Sequence, residues 1–312
     1  MAGRDGALGA QADTTMATTA APVRVAPSWT KRASVRRRFY LGTMQIVLTV
    51  GGVLMLVPFF WLISTSLKVR GTEFMFPPVW IPRPAVWRNY YTAIFDSGLP
   101  FTRFLVNTVI ITGFNMVGVL LSASLAGFGF SRMRFPGRDK LFVLVLSTMM
   151  LPDIVTLIPS YLLFRLFHWI DTFLPLIVPT YLGGGAFYIF LYRQFFMGIP
   201  YELDEAARID GAGTLDIYLR VIVPLSKPVM TSVAIFTFLG NWNSFMGPLI
   251  YLNSLEKMTL AVGLRAFQGL RGTEWNLMMA AAAVMMVPVL ILFFAAQRYF
   301  IRGIVTTGFG GR

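Results

Sequence analysis

YELDEAARIDGAGTLDIYLRVIVPLSKP (residues 201–228) is a charged, helix-forming stretch set inside a chain that otherwise reads as oil. Pro200 suits the first turn of a helix, and Glu202, Asp204 and Glu205 follow where acids favour the positive helix start. Gly211 and Gly213 end that helix. A second can begin at Thr214, whose hydroxyl suits an N-cap. Leu215, Tyr218, Leu219 and Ile222 then recur at i, i+3, i+4 and i+7 as one apolar stripe. Pro224 and Pro228 close it. The segment is thus predicted to be a helix–turn–helix elbow. Its first helix presents Leu203, Ala206, Ala207 and Asp210 on one side, and the two alanines leave a face thin enough to enter a groove.

The rest of the chain explains why such a segment stands out. Of 312 residues, 56% are hydrophobic and 13% charged, with mean hydropathy +0.65; a soluble globular domain carries roughly 25% charged residues. Windows free of Asp, Glu, Lys and Arg cover 39–67, 104–131, 172–192, 228–255 and 275–297, and 141–164 is broken only by Asp153. Each reaches the roughly 20 apolar residues that a bilayer core requires of a helix. The expectation is an all-α membrane protein with six transmembrane helices.

The net charge of +13 points to membrane topology rather than to nucleic acid once the basic residues are placed. With both termini inside, 18 of the 27 Lys and Arg fall on cytoplasmic segments: before Phe39, in 132–140, in 193–227 and after Gln297. The elbow is then cytoplasmic. Absence of cysteine excludes thiol chemistry, disulfides and Cys-ligated metals. Residues 1–38 read as a disordered basic tail, 39–303 as the membrane domain and 304–312 as a second tail. "RRRFY" and the apolar run after it exceed a signal peptide, whose apolar region spans about 7–15 residues.

On these residues the chain resembles the permease subunits of ATP-binding-cassette importers. "EAARIDGA" followed by "VIVPL" is similar to their EAA signature: Glu-Ala-Ala, three residues, Gly, nine residues, then Ile-x-Leu-Pro. Glu205, Ala206, Ala207, Gly211 and Pro224 match in identity and spacing, and Val221 and Val223 replace Ile and Leu. "NYYTAIF", "FSRMRFPG", "WIDTFLPLIVP", "GNWNSFMGPLIYL" and "QRYFIRGIVTTGFGG" narrow the likeness to the smaller, six-helix subunit of maltose-type carbohydrate importers. One departure is Ser244, where many relatives carry an acid after the Trp-Asn of helix five.

The resemblance implies a type I importer permease fold with a cytoplasmic coupling helix in a prokaryotic cell membrane. Glu205, Ala206, Ala207, Asp210, Gly211 and Pro224 would then contact an ATPase dimer. It also implies a second permease subunit as heterodimer partner, an extracytoplasmic solute-binding protein, a carbohydrate or polyol cargo, surrounding lipid, no cofactor and no catalysis by this chain. In such relatives the loop over 253–274 probes the binding protein and the C-terminal tail lies between the ATPase subunits.

Other residues could serve transport. Asp153, at a depth where an acid costs about 2.5–3.5 kcal/mol, is either a polar group of the translocation path or one partner of an interhelical contact. Asn241, Trp242 and Asn243 could meet sugar hydroxyls or act as polar glue between helices. His168 stands alone, with no cluster to suggest a metal. No GxxxxGK[ST] occurs, so ATP is not expected to be bound here by that motif. Two alternatives remain: a membrane-embedded transferase, which needs convergent acids or a histidine at one membrane face, and an ion-coupled secondary carrier, which works alone.

Overall fold

The computed structural model describes residues 28–269 and 272–307, with side chains over 39–268 and 273–297. The chain divides into two units between Val57 and Pro58. This boundary lies within α1 (Ser28–Ser66), where Pro58 removes a backbone donor. The large apolar side chains from Phe39 to Val57 are mostly exposed, as suits a helix whose solvent is lipid. The helix starts at Ser28, ahead of the apolar window, while residues 1–27 of the expected tail lie outside the described residues.

In the second unit the helices are α2 (Phe101–Arg132), α3 (Arg138–Ser147), α4 (Asp153–Leu166), α5 (Leu174–Ile177) and α6 (Ala186–Met197). After these come α7 (Glu202–Ile209), α8 (Thr214–Leu225), α9 (Lys227–Trp242), α10 (Met246–Tyr251) and α11 (Trp275–Thr307). A two-stranded hairpin pairs β1 (Gln268–Gly269) with β2 (Gly272–Thr273).

The central element is α2, against which α6 and α9 pack. Small residues set that spacing. A Cβ on Gly127 would stand 2.5 Å from Tyr192 Cβ, and one on Gly118 would stand 2.6 Å from Thr180 Oγ1, so only glycine admits these neighbours. One apolar core lies at the α7 end, built from Phe128, Phe142, Tyr192, Phe196, Ile217 and Ile222. A second lies at the other end, around Phe101, Phe104, Trp242, Leu260 and Leu277.

Four of the described segments are long and apolar enough to cross a membrane: Phe39–Ser66, Phe101–Arg132, Leu174–Met197 and Trp275–Gln297. Two bent pairs bring the count to the expected six if each pair is one span. Arg138–Met150 meets Asp153–Leu166 at 98°, and Thr214–Leu225 meets Lys227–Trp242 at 77°. Pro152 forces the first break, because it pushes Leu151 into extended backbone (ψ 119°). At the second, the chain stops at Ser226 and restarts with Pro228 in the first turn of α9. The expected fifth span, 228–255, is divided after Trp242, where Asn243 caps α9 and α10 follows. Near the C-terminus, α11 continues through Gly303 to Thr307, past the expected start of the tail, and 308–312 lie outside the described residues.

Between α1 and α2 the chain is pinned by buried polar groups. The Asn89 amide donates to Ser66 O and Lys68 O, both at 2.8 Å. Lys68, 2% exposed, donates to Glu73 O at 2.9 Å and stands 3.9 Å over the Trp61 ring. Burial pushes its ammonium below the ordinary lysine value, with the charge of Glu73 opposing that shift.

Candidate functional site

The predicted elbow forms. α7 carries Glu202, Asp204 and Glu205 in its first turn and ends in a Schellman turn. Gly211 N donates to Arg208 O at 3.0 Å and Ala212 N to Ala207 O at 2.9 Å. Gly211 takes φ +86°, a left-handed value that glycine adopts without steric penalty. Ala207 and Ala212 pack on the core, so Ala207 faces the bundle more than the expected outer side. Leu203, Glu205, Ala206, Ile209 and Asp210 are exposed. Ile209, at 86% exposure, is an outward apolar residue that periodicity did not single out.

The second helix of the elbow departs from its predicted stripe. Ile217, Tyr218 and Ile222 are buried, whereas Leu215 and Leu219 are exposed. The cause is local winding: Ile217–Ile222 is a π-helix, whose wider turn brings i and i+5 to one side in place of i and i+4. Tyr218 Oη lies 2.6 Å from Ser124 Oγ, which fastens α8 to α2, and Pro224 is exposed beyond it.

The elbow is held to the bundle by a group absent from the sequence-derived candidates. Arg132, the last residue of α2, donates through Nη2 to Phe196 O and Ile199 O, both at 2.7 Å. Its Nη1 lies 3.5 Å from Asp204 Oδ2, with the two side chains 5% and 1% exposed. Neither Asp204 oxygen accepts a hydrogen bond, so the guanidinium is what balances a buried carboxylate. Arg132 also stands 5.7 Å from the Tyr201 ring centroid, and Arg208 covers the same ring at 5.6 Å while donating to Tyr201 Oη at 3.0 Å. A cleft of about 470 Å³ opens between α7 and the end of α2, lined by Arg134, Tyr201, Glu205, Arg208 and Thr214 with Arg132 and Asp204. The signal for Arg132 was a lone arginine closing a long apolar helix; nothing in the sequence told which acid it meets.

The transport-path candidates separate. Asn241 is inside the bundle, accepting from the Asn115 amide at 2.6 Å and donating to Thr237 O at 2.8 Å. Thr180 joins Asn115 at 3.1 Å, so these amides form a network between helices. Trp242 is buried, its indole donating to Met285 O at 3.0 Å and its ring stacked on Phe238 at 5.1 Å. Asn243 and Asp153 are exposed, Asp153 opening α4 at the 98° bend. The four are therefore not gathered into one site. Among the described residues no group of three His, Asp or Glu is placed to hold a metal.

At the far end from the elbow, Asp171 fastens two loops. It sits at φ +59° and receives Asn253 N and Ser254 N at 2.9 Å, Ser254 Oγ at 2.6 Å and Lys257 Nζ at 2.9 Å. Those partners, the Ser254 hydroxyl first, then the Ser254 amide and Lys257, hold its carboxyl well below the usual carboxylate range. The loop is bound to α2 as well: Asn107 donates to Glu256 O and Met258 O, Leu260 N donates to Thr108 Oγ1, and Arg103 pairs with Glu256.

With this geometry in view, comparison with known proteins is informative. Residues 118–306 match the family described as "Binding-protein-dependent transport system inner membrane component". The chain is 31% identical over 267 residues to the sn-glycerol-3-phosphate transport system permease protein UgpE of Yersinia pestis bv. Antiqua (strain Antiqua), spanning 84% of this chain and 94% of that one. It is 32% identical over 221 residues to the arabinooligosaccharides transport system permease protein AraQ of Bacillus subtilis (strain 168), covering 71% and 78%. A chain of a crystallised bacterial ABC transporter involved in alginate import superposes with a TM-score of 0.75 at 23% identity, over 84% of this chain and 97% of that one, a likeness of fold. A match over more than half the length, with a relative 31% identical over 84% of the chain, means that this chain belongs to the family of binding-protein-dependent transport inner membrane components.

Proposed function

We propose that the chain is a transmembrane permease subunit of an ATP-driven importer for a carbohydrate or related polyol, and that the 200–228 elbow is where an ATPase subunit docks. The observation carrying this reading is α7: a short helix with Glu205, Ala206, Ile209 and Asp210 turned outward, seated on a buried ion pair at its inner side. An outward face on a rigid mount is what a soluble partner needs to push against. Family membership supports the transport role, and the sugar and polyol-phosphate permeases among its relatives support the cargo class. This chain itself carries out no catalysis on that reading. A second permease completes the path, a solute-binding protein delivers cargo, and both termini and the elbow face the cytoplasm.

The assignments within the elbow follow from its geometry. Glu205 is exposed and suits a charge-assisted contact with a basic residue of the ATPase. Ala206 supplies the small outer surface, whereas Ala207, Gly211 and Pro224 shape the elbow. Asp210 caps the end of α7 and is exposed. The alternating-access cycle requires that ATP and loaded binding protein stabilise one bundle conformation over the other.

Extraction in mild detergent tests the reading. The wild-type chain should bring with it an ATPase and a second permease, a result that neither a transferase nor a lone ion-coupled carrier gives. Gly211→Val, strained at φ +86°, should insert normally yet lose the ATPase and sugar or polyol uptake. Full ATPase recovery and full uptake for Gly211→Val would remove the elbow from the docking site.

A further inference from the structure

We infer that Arg132 is the positioning residue through which movement of α7 reaches the membrane helices. This rests on reading the elbow as the docking element, and goes beyond it by naming the internal connection.

Three elements converge on one guanidinium. Arg132 ends α2, the helix against which α6 and α9 pack. Its Nη2 donates to two carbonyls, Phe196 O in the last turn of α6 and Ile199 O just beyond it, and its Nη1 faces Asp204 in the first turn of α7. The planar, five-donor fork of arginine allows this; lysine has one nitrogen and cannot span such sites together.

A second attachment to α2, the Tyr218–Ser124 contact, holds α8 rather than the first turn of α7. Ala207 and Ala212 seat the far end of α7 on the core, but the 470 Å³ cleft separates the near end from α2, with Arg132 and Asp204 among its lining. Neither acceptor oxygen of Asp204 receives a hydrogen bond, and among the described residues its ion pair within 4 Å is with Arg132. A buried carboxylate with one partner follows that partner, because separation would leave the charge unpaired away from water. Displacing α7 therefore drags Arg132, and with it the end of α2 and the carbonyls that finish α6. The neighbouring acid Glu205 is exposed and free to face outward, so two adjacent acids divide the work: one outward to a partner, one inward to the bundle.

The test uses the assembled importer with its ATPase, partner permease and binding protein. Arg132→Gln alone would strand the Asp204 charge, so the informative variant is the pair Arg132→Gln with Asp204→Asn, which removes both charges while keeping shape. Because the chain has no cysteine, spin labels placed on Arg134→Cys and Glu202→Cys before it is combined with its partners report the separation of α7 from the end of α2. In the double variant that distance distribution should broaden while the complex still assembles. Stimulation of ATP hydrolysis by loaded binding protein should fall roughly tenfold, inside the range of about 5–150-fold typical of coupling between sites. Arg132→Lys should assemble normally but fall short of full stimulation. A wild-type distance distribution, or undiminished stimulation, in the double variant overturns the role of Arg132. If instead the distance broadens as expected while Gly211→Val keeps its ATPase, the docking reading fails and the hold of Arg132 on α7 stands.

Discussion

At the scale of single residues, the polar groups that matter are those whose partners come from distant sequence. Asp171 and Ser254, or Arg132 and Asp204, are joined only by the fold, and no local pattern announces either pair. The places of Glu205 and Gly211 were legible because they are local, a helix start and a helix end, whereas of the two alanines expected on the outer face only Ala206 is exposed. Asn241 and Trp242 were legible as polar groups at membrane depth, but their partners, Asn115 at 126 positions and Met285 at 43, were not. The Asp171 latch makes a pH prediction. Its folded carboxyl value is depressed, so its contribution is fully present above the unfolded value near 3.9 and is lost only as pH falls through the lower folded value. Amide protection over 253–257, corrected for intrinsic exchange, should stay constant from neutral pH down to about 4. Asp171→Asn tolerates φ +59° but loses the charge facing Lys257, and should exchange several-fold faster at every pH. Equal protection in that variant would mean that the backbone turn alone holds the loop.

At the scale of elements, hydropathy marked where helices lie but not where they break. Proline positions were visible, yet a proline inside a membrane helix is compatible with either a mild kink or a right-angle turn, and the 98° bend at Pro152 depends on packing. The α8 stripe failed for a related reason: a 3.6-residue period was assumed where the chain winds as a π-helix. The glycine stripe of α2 carries a test of packing. Gly127→Ala sets a Cβ 2.5 Å from Tyr192 Cβ and 3.2 Å from Arg193 N, and overpacking of this kind costs about 1–3 kcal/mol. Gly113→Ala meets nothing within 4 Å and, by relieving a helical glycine, should leave stability unchanged or raise it by about 0.5–1 kcal/mol. The thermal unfolding midpoint in one detergent should fall for Gly127→Ala and not for Gly113→Ala; an equal fall in both would count against α2 as the close-packed element.

At the scale of the whole molecule, charge placement and family pattern agree on a permease, and orientation remains open to direct measurement. An impermeant thiol reagent applied to sealed cells should label Asn253→Cys and leave Lys140→Cys unlabelled until the membrane is opened; both positions are exposed, and the chain contributes no cysteine of its own. The reverse pattern would invert the protein and place the elbow outside. The bend between α3 and α4 has a further consequence, for the life of the polypeptide before assembly. It exposes Asp153 at a helix start in a stretch of apolar side chains, and hydrocarbon solvates such a group poorly. Membrane quality control should recognise an orphan copy by this group. Synthesised without its partners it should be degraded several-fold faster in a pulse–chase than when co-expressed with them, and Asp153→Leu should recover part of that lifetime; matched decay in all three cases would show that the bend is not what proteolysis reads.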